Sequence, residues 1–198
     1  MDRAIPDFAD AQSGLHPLST ATLRYNLNMT RYIALLRAVN VGGTGKLPMA
    51  DLKSICEDLR FARVETYIAS GNVVFESKAA PSKVKSELEA GLLEYAGKPI
   101  GVVVRTAPEM RAVLKANPFR DAEGKYTYAI FLDHSPPRDA LAHVTGQSHE
   151  KMNLGDREIF VHYPSGMGRS KLKIPAAKTG TARNMNTVAK LAEMASKA

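Results

Sequence analysis

The spacing of apolar and polar residues changes period several times between residues 31 and 105. Residues 31–39 form a mostly apolar run that predicts a strand, and residues 48–60 carry apolar side chains at helical spacing. Pro48 suits the first turn of that helix. A strand pair at 64–68 and 73–76, a helix at 81–95 and a strand at 101–105 follow. The predicted order is β-α-β-β-α-β, the split βαβ or ferredoxin-like unit.

The rest of the chain repeats this order loosely. Predicted helices lie at 108–116, at 137–144, from 168 to 173 and at 184–196, and predicted strands lie at 126–133, 149–154, 157–163 and near 181–183. We therefore expect an α+β protein, an alpha/beta plait of two tandem ferredoxin-like halves. The first half spans residues 29–106, and the second, degenerate half spans residues 107–198 and ends in a basic helix.

Polar residues cluster where this topology brings two segments together. In a split βαβ unit the first two strands run parallel, with the third strand between them. The end of the first strand, with Arg37 and Asn40, should therefore share a sheet edge with the hairpin turn of Ser70, Gly71 and Asn72. This edge is the first candidate ligand site.

A glycine-rich segment after the first strand suggests an anion site. Gly42 and Gly43 precede Lys46, but Asn40 and Leu47 stand where a Walker A motif needs a glycine and a hydroxyl residue. A nucleotide hydrolase of that type is therefore not expected. Glycine-rich backbone before a helix can still hold an anion, and the alternative is a flexible turn. Arg37 has two interpretations as well, a bidentate phosphate contact or a structural ion pair.

The charge of the chain is concentrated near its C-terminus. The formal net charge is +7, and the segment from Ser165 onward has seven basic residues and one acid. This segment favours an anionic partner, nucleic acid included, although a solvated basic helix face is equally typical. A second polar and basic cluster is expected from Arg169, Ser170, Lys171, Arg183 and Asn184. Asn184 or Asn186 is also suited to cap the last helix.

Other residues bound the class of protein. A single cysteine, Cys56, excludes an intrachain disulfide and favours the cytoplasm, and its place in an apolar helical stripe predicts a core residue. Residues 1–28 lack periodicity and are expected to be a disordered extension. A two-residue turn at Gly155 would place His149 opposite His162, yet no third ligand is visible, so no metal and no cofactor is predicted. No apolar run is long enough to span a membrane.

Five segments resemble a known bacterial family, the domain of unknown function 1697. They lie at 35–43, 46–49, 67–75, 168–172 and 180–187, with the sequences LLRAVNVGG, KLPM, YIASGNVVF, GRSKL and GTARNMNT. The resemblance implies an α/β plait of two related halves and no established activity. Ala38 stands where the family is expected to have glycine, and Met185 where it usually has tryptophan.

The sequence therefore favours a cytoplasmic bacterial protein that binds a phosphate-bearing, nucleotide-like small molecule at the sheet edge. One alternative is a nucleic-acid-binding module that uses the basic C-terminal segment. Another is an enzyme whose catalytic groups do not follow a recognisable motif.

Overall fold

The computed structural model of the protein describes residues 29–40 and 46–197. The expected N-terminal extension, residues 1–28, lies outside this range. So do two residues of the predicted anion loop, Gly42 and Gly43.

The first sheet has the topology that the sequence predicts. Its elements are β1 (Thr30–Leu36), α1 (Met49–Asp58), β2 (Ala62–Thr66), β3 (Asn72–Ser77), α2 (Pro81–Ala96) and β4 (Val102–Thr106). The strand order is β2-β3-β1-β4, and each neighbouring pair is antiparallel. β1 and β2 are therefore parallel with β3 between them, which brings the end of β1 to the β2–β3 turn.

A second sheet follows with an equivalent strand order. Its elements are α3 (Ala107–Ala116), β5 (Thr127–Phe131), β6 (Lys151–Leu154), β7 (Glu158–His162), β8 (Thr181–Asn184) and α4 (Met185–Ala195). The order is β6-β7-β5-β8, again antiparallel throughout. The described residues thus form an α+β fold of two four-stranded antiparallel sheets and four α-helices.

Two predicted helices of the second half are absent from the described residues. Residues 137–144 form successive turns, in which Ala140 and Ala142 N–H groups donate to carbonyls three residues earlier. Only Ala140 of this stretch is buried, so a helix here would have too little apolar surface to pack. The 168–173 segment holds one short 3-10 helix, Met167–Arg169, because the Ser170 hydroxyl accepts from the Leu172 N–H and fixes an extended backbone.

The β6–β7 hairpin differs from prediction in register. Leu154 pairs with Ile159, and the Gly155 N–H donates to the Glu158 carbonyl at 2.7 Å, so the two turn residues are Asp156 and Arg157, one position later than predicted. Lys151, not His149, therefore lies opposite His162. The predicted pairing of two histidines is wrong, and among residues 29–40 and 46–197 no three metal-ligating side chains lie together.

The first sheet is covered on both faces. One face packs against α1 and α2, with Leu52, Cys56 and Leu88 fully buried. Cys56 is thus the core residue that the helical stripe predicts. Its burial raises the pKa of the thiol to about 12. The other face shares a core with α3, α4 and the second sheet, in which Ile33, Met110, Phe131 and Val188 are buried together. None of the described helices is long and apolar enough to cross a membrane.

Ala38, the residue found where the family is expected to have glycine, has a strained backbone. Its φ angle is +48°, in the left-handed region that disfavours residues with a Cβ. Its side chain is exposed, so favourable packing does not offset the energetic cost of this backbone conformation. The departure from glycine therefore costs stability at the end of β1.

We expect Ala38→Gly to raise the free energy of unfolding by about 1 kcal/mol, because glycine adopts this φ without steric cost. Urea denaturation measures the change. Ala50→Gly, on an exposed position of α1, is the matched control and should lower the free energy of unfolding by about 1 kcal/mol. A loss of stability in both variants would show that Ala38 is not strained.

Candidate ligand site

The end of β1 and the β2–β3 turn meet at one sheet edge. The Leu36 N–H donates to the Gly71 carbonyl at 2.8 Å, and the Arg37 N–H donates to the Gly101 carbonyl at 2.9 Å. Gly71 has φ +76°, and a Cβ there would lie 2.9 Å from the Leu36 Cβ. Glycine is therefore required at the turn for both conformation and space.

Arg183, from the distant strand β8, fills this edge. Its Nε donates to Asn72 Oδ1, and its Nη2 donates to the carbonyls of Leu36 at 2.9 Å and Ser70 at 2.8 Å. Its Nη1 donates to Thr181 Oγ1 and to the Ala182 carbonyl, both at 2.8 Å. The Gly71 carbonyl also accepts from Nη2, at 3.2 Å. We call this arrangement the Arg183 knot: Arg183, Asn72, Thr181 and the carbonyls of Leu36, Ser70, Gly71 and Ala182.

The Arg183 knot is buried and complete. Arg183 is 7% exposed and Asn72 is 0% exposed. Burial lowers the pKa of Arg183 to about 10, so the guanidinium stays charged at neutral pH. All five N–H groups have acceptors, and none is a carboxylate. Since an arginine side chain has five donors, none remains for a ligand.

Two more predicted ligand residues also have structural roles. Asn72 Nδ2 donates to the Tyr67 carbonyl at 2.9 Å and to Ser70 Oγ at 3.0 Å, which fixes the hairpin turn. Asn40 Nδ2 donates to the carbonyls of Leu47 and Ala69, and its Oδ1 accepts from the Leu47 N–H at 2.8 Å. Asn40 therefore ties the end of β1 to both the hairpin turn and the segment before α1.

Arg37 and Lys46 lie elsewhere on this edge, around a cavity of about 520 Å³. We call it the Arg37 cavity. It is lined by three cationic residues, Arg37, Lys46 and Lys98, by Tyr95, and by the smaller or apolar residues Ala38, Val39, Leu47, Ala96, Pro99 and Ile100. No acidic residue is among these described lining residues. The cavity therefore has an excess of positive charge.

Arg37 is only partly satisfied within the described residues. Its Nη2 donates to the Lys178 carbonyl at 3.0 Å, while its Nε is buried without a hydrogen-bond partner there. Gly101 allows this position, because a Cβ there would lie 2.9 Å from Arg37 Cδ. The guanidinium thus keeps donor capacity beside the cavity.

Tyr95 and Lys98 line the cavity but carried no signal in the sequence. Tyr95 follows the apolar stripe of α2, and its hydroxyl donates to Asp51 Oδ2 at 2.5 Å, which orients an exposed ring. Lys98 follows Gly97, which ends α2 in the left-handed conformation. Tyr95 belongs to the last turn of α2, and only Lys98 is positioned by the turn after Gly97, so the approach of both residues to Arg37 could not be predicted without the fold.

The second predicted cluster divides in two. Arg169, Ser170 and Lys171 line a separate cavity of about 270 Å³, while Arg183 belongs to the knot. Asn184 caps α4, since its Oδ1 accepts from the Thr187 N–H at 2.9 Å, as predicted for one of the two asparagines. Met185, at the position of the family's usual tryptophan, is buried in the core shared by both sheets.

The basic C-terminal segment does not form one surface. Arg183 is buried, and Lys190 and Lys197 both form ion pairs with Glu193. Arg169 and Lys171 line their own cavity. The charge excess seen in the sequence is therefore distributed over different environments.

Comparison with known proteins agrees with the fold. The family model described as "Protein of unknown function (DUF1697)" matches residues 29–160. The solved structure of the conserved bacterial protein SP0830 from Streptococcus pneumoniae is similar, with a TM-score of 0.70 and 26% sequence identity. The similarity covers 84% of this chain and 99% of that one. No curated protein matches the chain.

We expect Arg183→Met to lower the free energy of unfolding by about 3 kcal/mol or more, because it leaves several buried acceptors without donors. Chemical denaturation measures the loss. Arg37→Met is the matched control; it removes one bond to a carbonyl and should cost about 1 kcal/mol. Equal losses in the two variants would contradict the distinction between a structural and an available arginine.

Proposed function

The chain belongs to the protein family of unknown function DUF1697, and on that premise we propose that it binds a small phosphate-bearing, nucleotide-like ligand in the Arg37 cavity. The observation that carries the proposal is a cavity of about 520 Å³ with three cationic lining residues and no acidic one among its described lining residues. Small-molecule sites commonly occupy roughly 300–1,000 Å³, so the cavity has room for a nucleotide-sized ligand.

The charge arrangement favours an anion. Arg37, Lys46 and Lys98 lie around one concave surface, where partial exclusion of water strengthens their attraction for negative charge. Phosphate oxygens suit the planar donor pattern of arginine. A phosphate oxygen would supply the acceptor that the buried Arg37 Nε lacks within the described residues.

The remaining lining suits an organic group attached to the phosphate. Tyr95, Pro99 and Ile100 offer aromatic and aliphatic surface next to the cations. The bond from the Tyr95 hydroxyl to Asp51 holds the ring in one orientation, so it can accept a planar group without further ordering. A nucleoside phosphate combines these two parts, whereas inorganic phosphate uses only one.

The ligand site proposed here is smaller than the one the sequence suggested. The other predicted residues of this edge support the site, because their polar groups are hydrogen-bonded within the fold. They are Ser70, Gly71, Asn72, Arg183 and Asn40. The inferred setting is the bacterial cytoplasm, where the buried thiol of Cys56 would stay reduced. None of the described residues that line the Arg37 cavity suggests a reaction, so the proposal is binding alone.

We also infer that the two sheets are tandem ferredoxin-like halves divided near residue 106. The inference rests on their equivalent strand orders, β2-β3-β1-β4 and β6-β7-β5-β8. In the second half, turns at 137–144 replace the first helix of the unit, and two short 3-10 helices, Met167–Arg169 and Pro175–Ala177, replace the second.

We expect Arg37→Ala to abolish the binding of phosphate-bearing ligands, and Lys46→Ala to weaken it by about tenfold, the contribution of one charged contact. Calorimetric titration with nucleoside monophosphates, sugar phosphates and pyrophosphate measures both effects. Arg37→Ala should remain folded, since the side chain donates one described hydrogen bond, to the Lys178 carbonyl.

Lys83→Ala is the matched control, since Lys83 is an exposed lysine of α2 outside the cavity lining. It should leave binding unchanged. Binding of oligonucleotides of many sequences, with steep salt dependence and no response to small phosphates, would favour a nucleic-acid-binding module instead. Full binding by Arg37→Ala would reject the Arg37 cavity as the site.

A further inference from the structure

A second cavity lies beside the second sheet, away from the Arg37 cavity. It has a volume of about 270 Å³ and is formed by the segments before β6 and after β7. Glu150, Tyr163, His149, Arg169, Ser170 and Lys171 give it its polar lining. We call it the Glu150 cavity.

The inner part of this cavity carries a fixed negative charge. Glu150 is only 8% exposed, and its two carboxylate oxygens accept from the Ser170 hydroxyl and from the Ser148 N–H, the latter at 2.7 Å. The pKa of Glu150 is lowered mainly by the hydrogen bond from Ser170 and secondly by the one from Ser148. The carboxyl group therefore stays ionised at neutral pH. The backbone N–H groups of Glu150 and His149 also stabilise the charged carboxylate and lower its pKa further.

Tyr163 lines the same inner part. The residue is 7% exposed, and burial, together with the nearby Glu150 charge, raises its pKa to about 12. Its hydroxyl is therefore neutral and able to donate or accept a hydrogen bond. It can contact a ligand of either sign without adding charge.

The outer part of the cavity carries the opposite charge. Arg169 and Lys171 are exposed, and within residues 29–40 and 46–197 neither forms an ion pair with a carboxylate. Neither lies within salt-bridge distance of Glu150, so the charges of the cavity do not neutralise one another by contact. Glu150 and these two basic residues line the same cavity of about 270 Å³, which has room for a small ligand.

We propose that the Glu150 cavity binds a small zwitterion, a free α-amino acid, with its ammonium group at Glu150 and its carboxylate at Arg169 and Lys171. A simple anion in the cavity would be repelled by the ionised Glu150. A simple cation would be repelled by the two basic residues, Arg169 and Lys171. A molecule with both charges matches both parts of the cavity. The volume of about 270 Å³ suits a ligand of this size rather than a nucleotide. This proposal is independent of the Arg37 cavity.

The test is calorimetric titration of the full chain with each common L-amino acid. We expect at least one to bind, while its N-acetyl derivative, which lacks the ammonium group, and its amide, which lacks the carboxylate, do not. Lys171→Ala should weaken binding about tenfold, as expected for the loss of one charged hydrogen bond, and Glu150→Gln should weaken it at least as much.

Lys173→Ala is the control, because Lys173 is an exposed lysine outside the cavity lining, and it should bind as the unaltered protein does. If the N-acetyl derivative binds as tightly as the amino acid itself, the cavity is a simple anion site and the proposal is overturned. If the amide binds as tightly as the amino acid, the cavity is a simple cation site and the proposal is also overturned. Absence of binding by every amino acid also overturns it. Lys171 is exposed, so its variant remains informative if Glu150→Gln does not fold. Arg37→Ala should bind the amino acid normally, which separates this result from the fate of the Arg37 cavity.

Discussion

A positive charge buried without a carboxylate partner determines how this fold is arranged. Arg183 lies in the interior, where an unsolvated guanidinium would be very costly, so each of its N–H groups needs an oxygen acceptor. The acceptors come from the end of β1, the β2–β3 turn and β8. Arg183 thus joins the first and second sheets, together with their shared core and the buried Arg105–Glu158 ion pair, and it holds the glycine turn against β1.

This interaction also determines which residues are free to bind a ligand. Asn72 and the hairpin turn accept hydrogen bonds from Arg183, and Asn40 is hydrogen-bonded to Leu47 and Ala69. Arg37 and Lys46 are left beside a cavity with positive charge in excess. The proposed ligand site is thus separated from the polar cluster that supports it, although both lie at the same edge of the first sheet.

The sequence predicted the first sheet well, because its helices and strands have clear periods and its turns carry glycine or proline. It also placed the end of β1 beside the β2–β3 turn, which topology alone determines. The contact of Arg183 with Asn72 joins residues 111 positions apart and has no local signal. The helix predicted at 137–144 is absent because only Ala140 of this stretch is buried, so a helix would have little apolar surface to pack. The predicted β6–β7 register was wrong because the glycine-aspartate pair suggested a turn at Gly155 and Asp156, whereas the Gly155–Glu158 bond places the turn one residue later, at Asp156 and Arg157.

Arg183 is assigned a structural role and Arg37 a ligand-binding role. The most direct test of this assignment is nuclear magnetic resonance of the arginine Nε–H groups during titration with adenosine monophosphate. An Nε–H group bonded inside the Arg183 knot should exchange its proton slowly with water and keep its chemical shift. The resonance of an Nε–H group that binds the phosphate should change its chemical shift. The account predicts a protected, unmoved Arg183 signal and a shifted Arg37 signal. A rapidly exchanging Arg183 signal that moves with the nucleotide, while Arg37 stays constant, would contradict it.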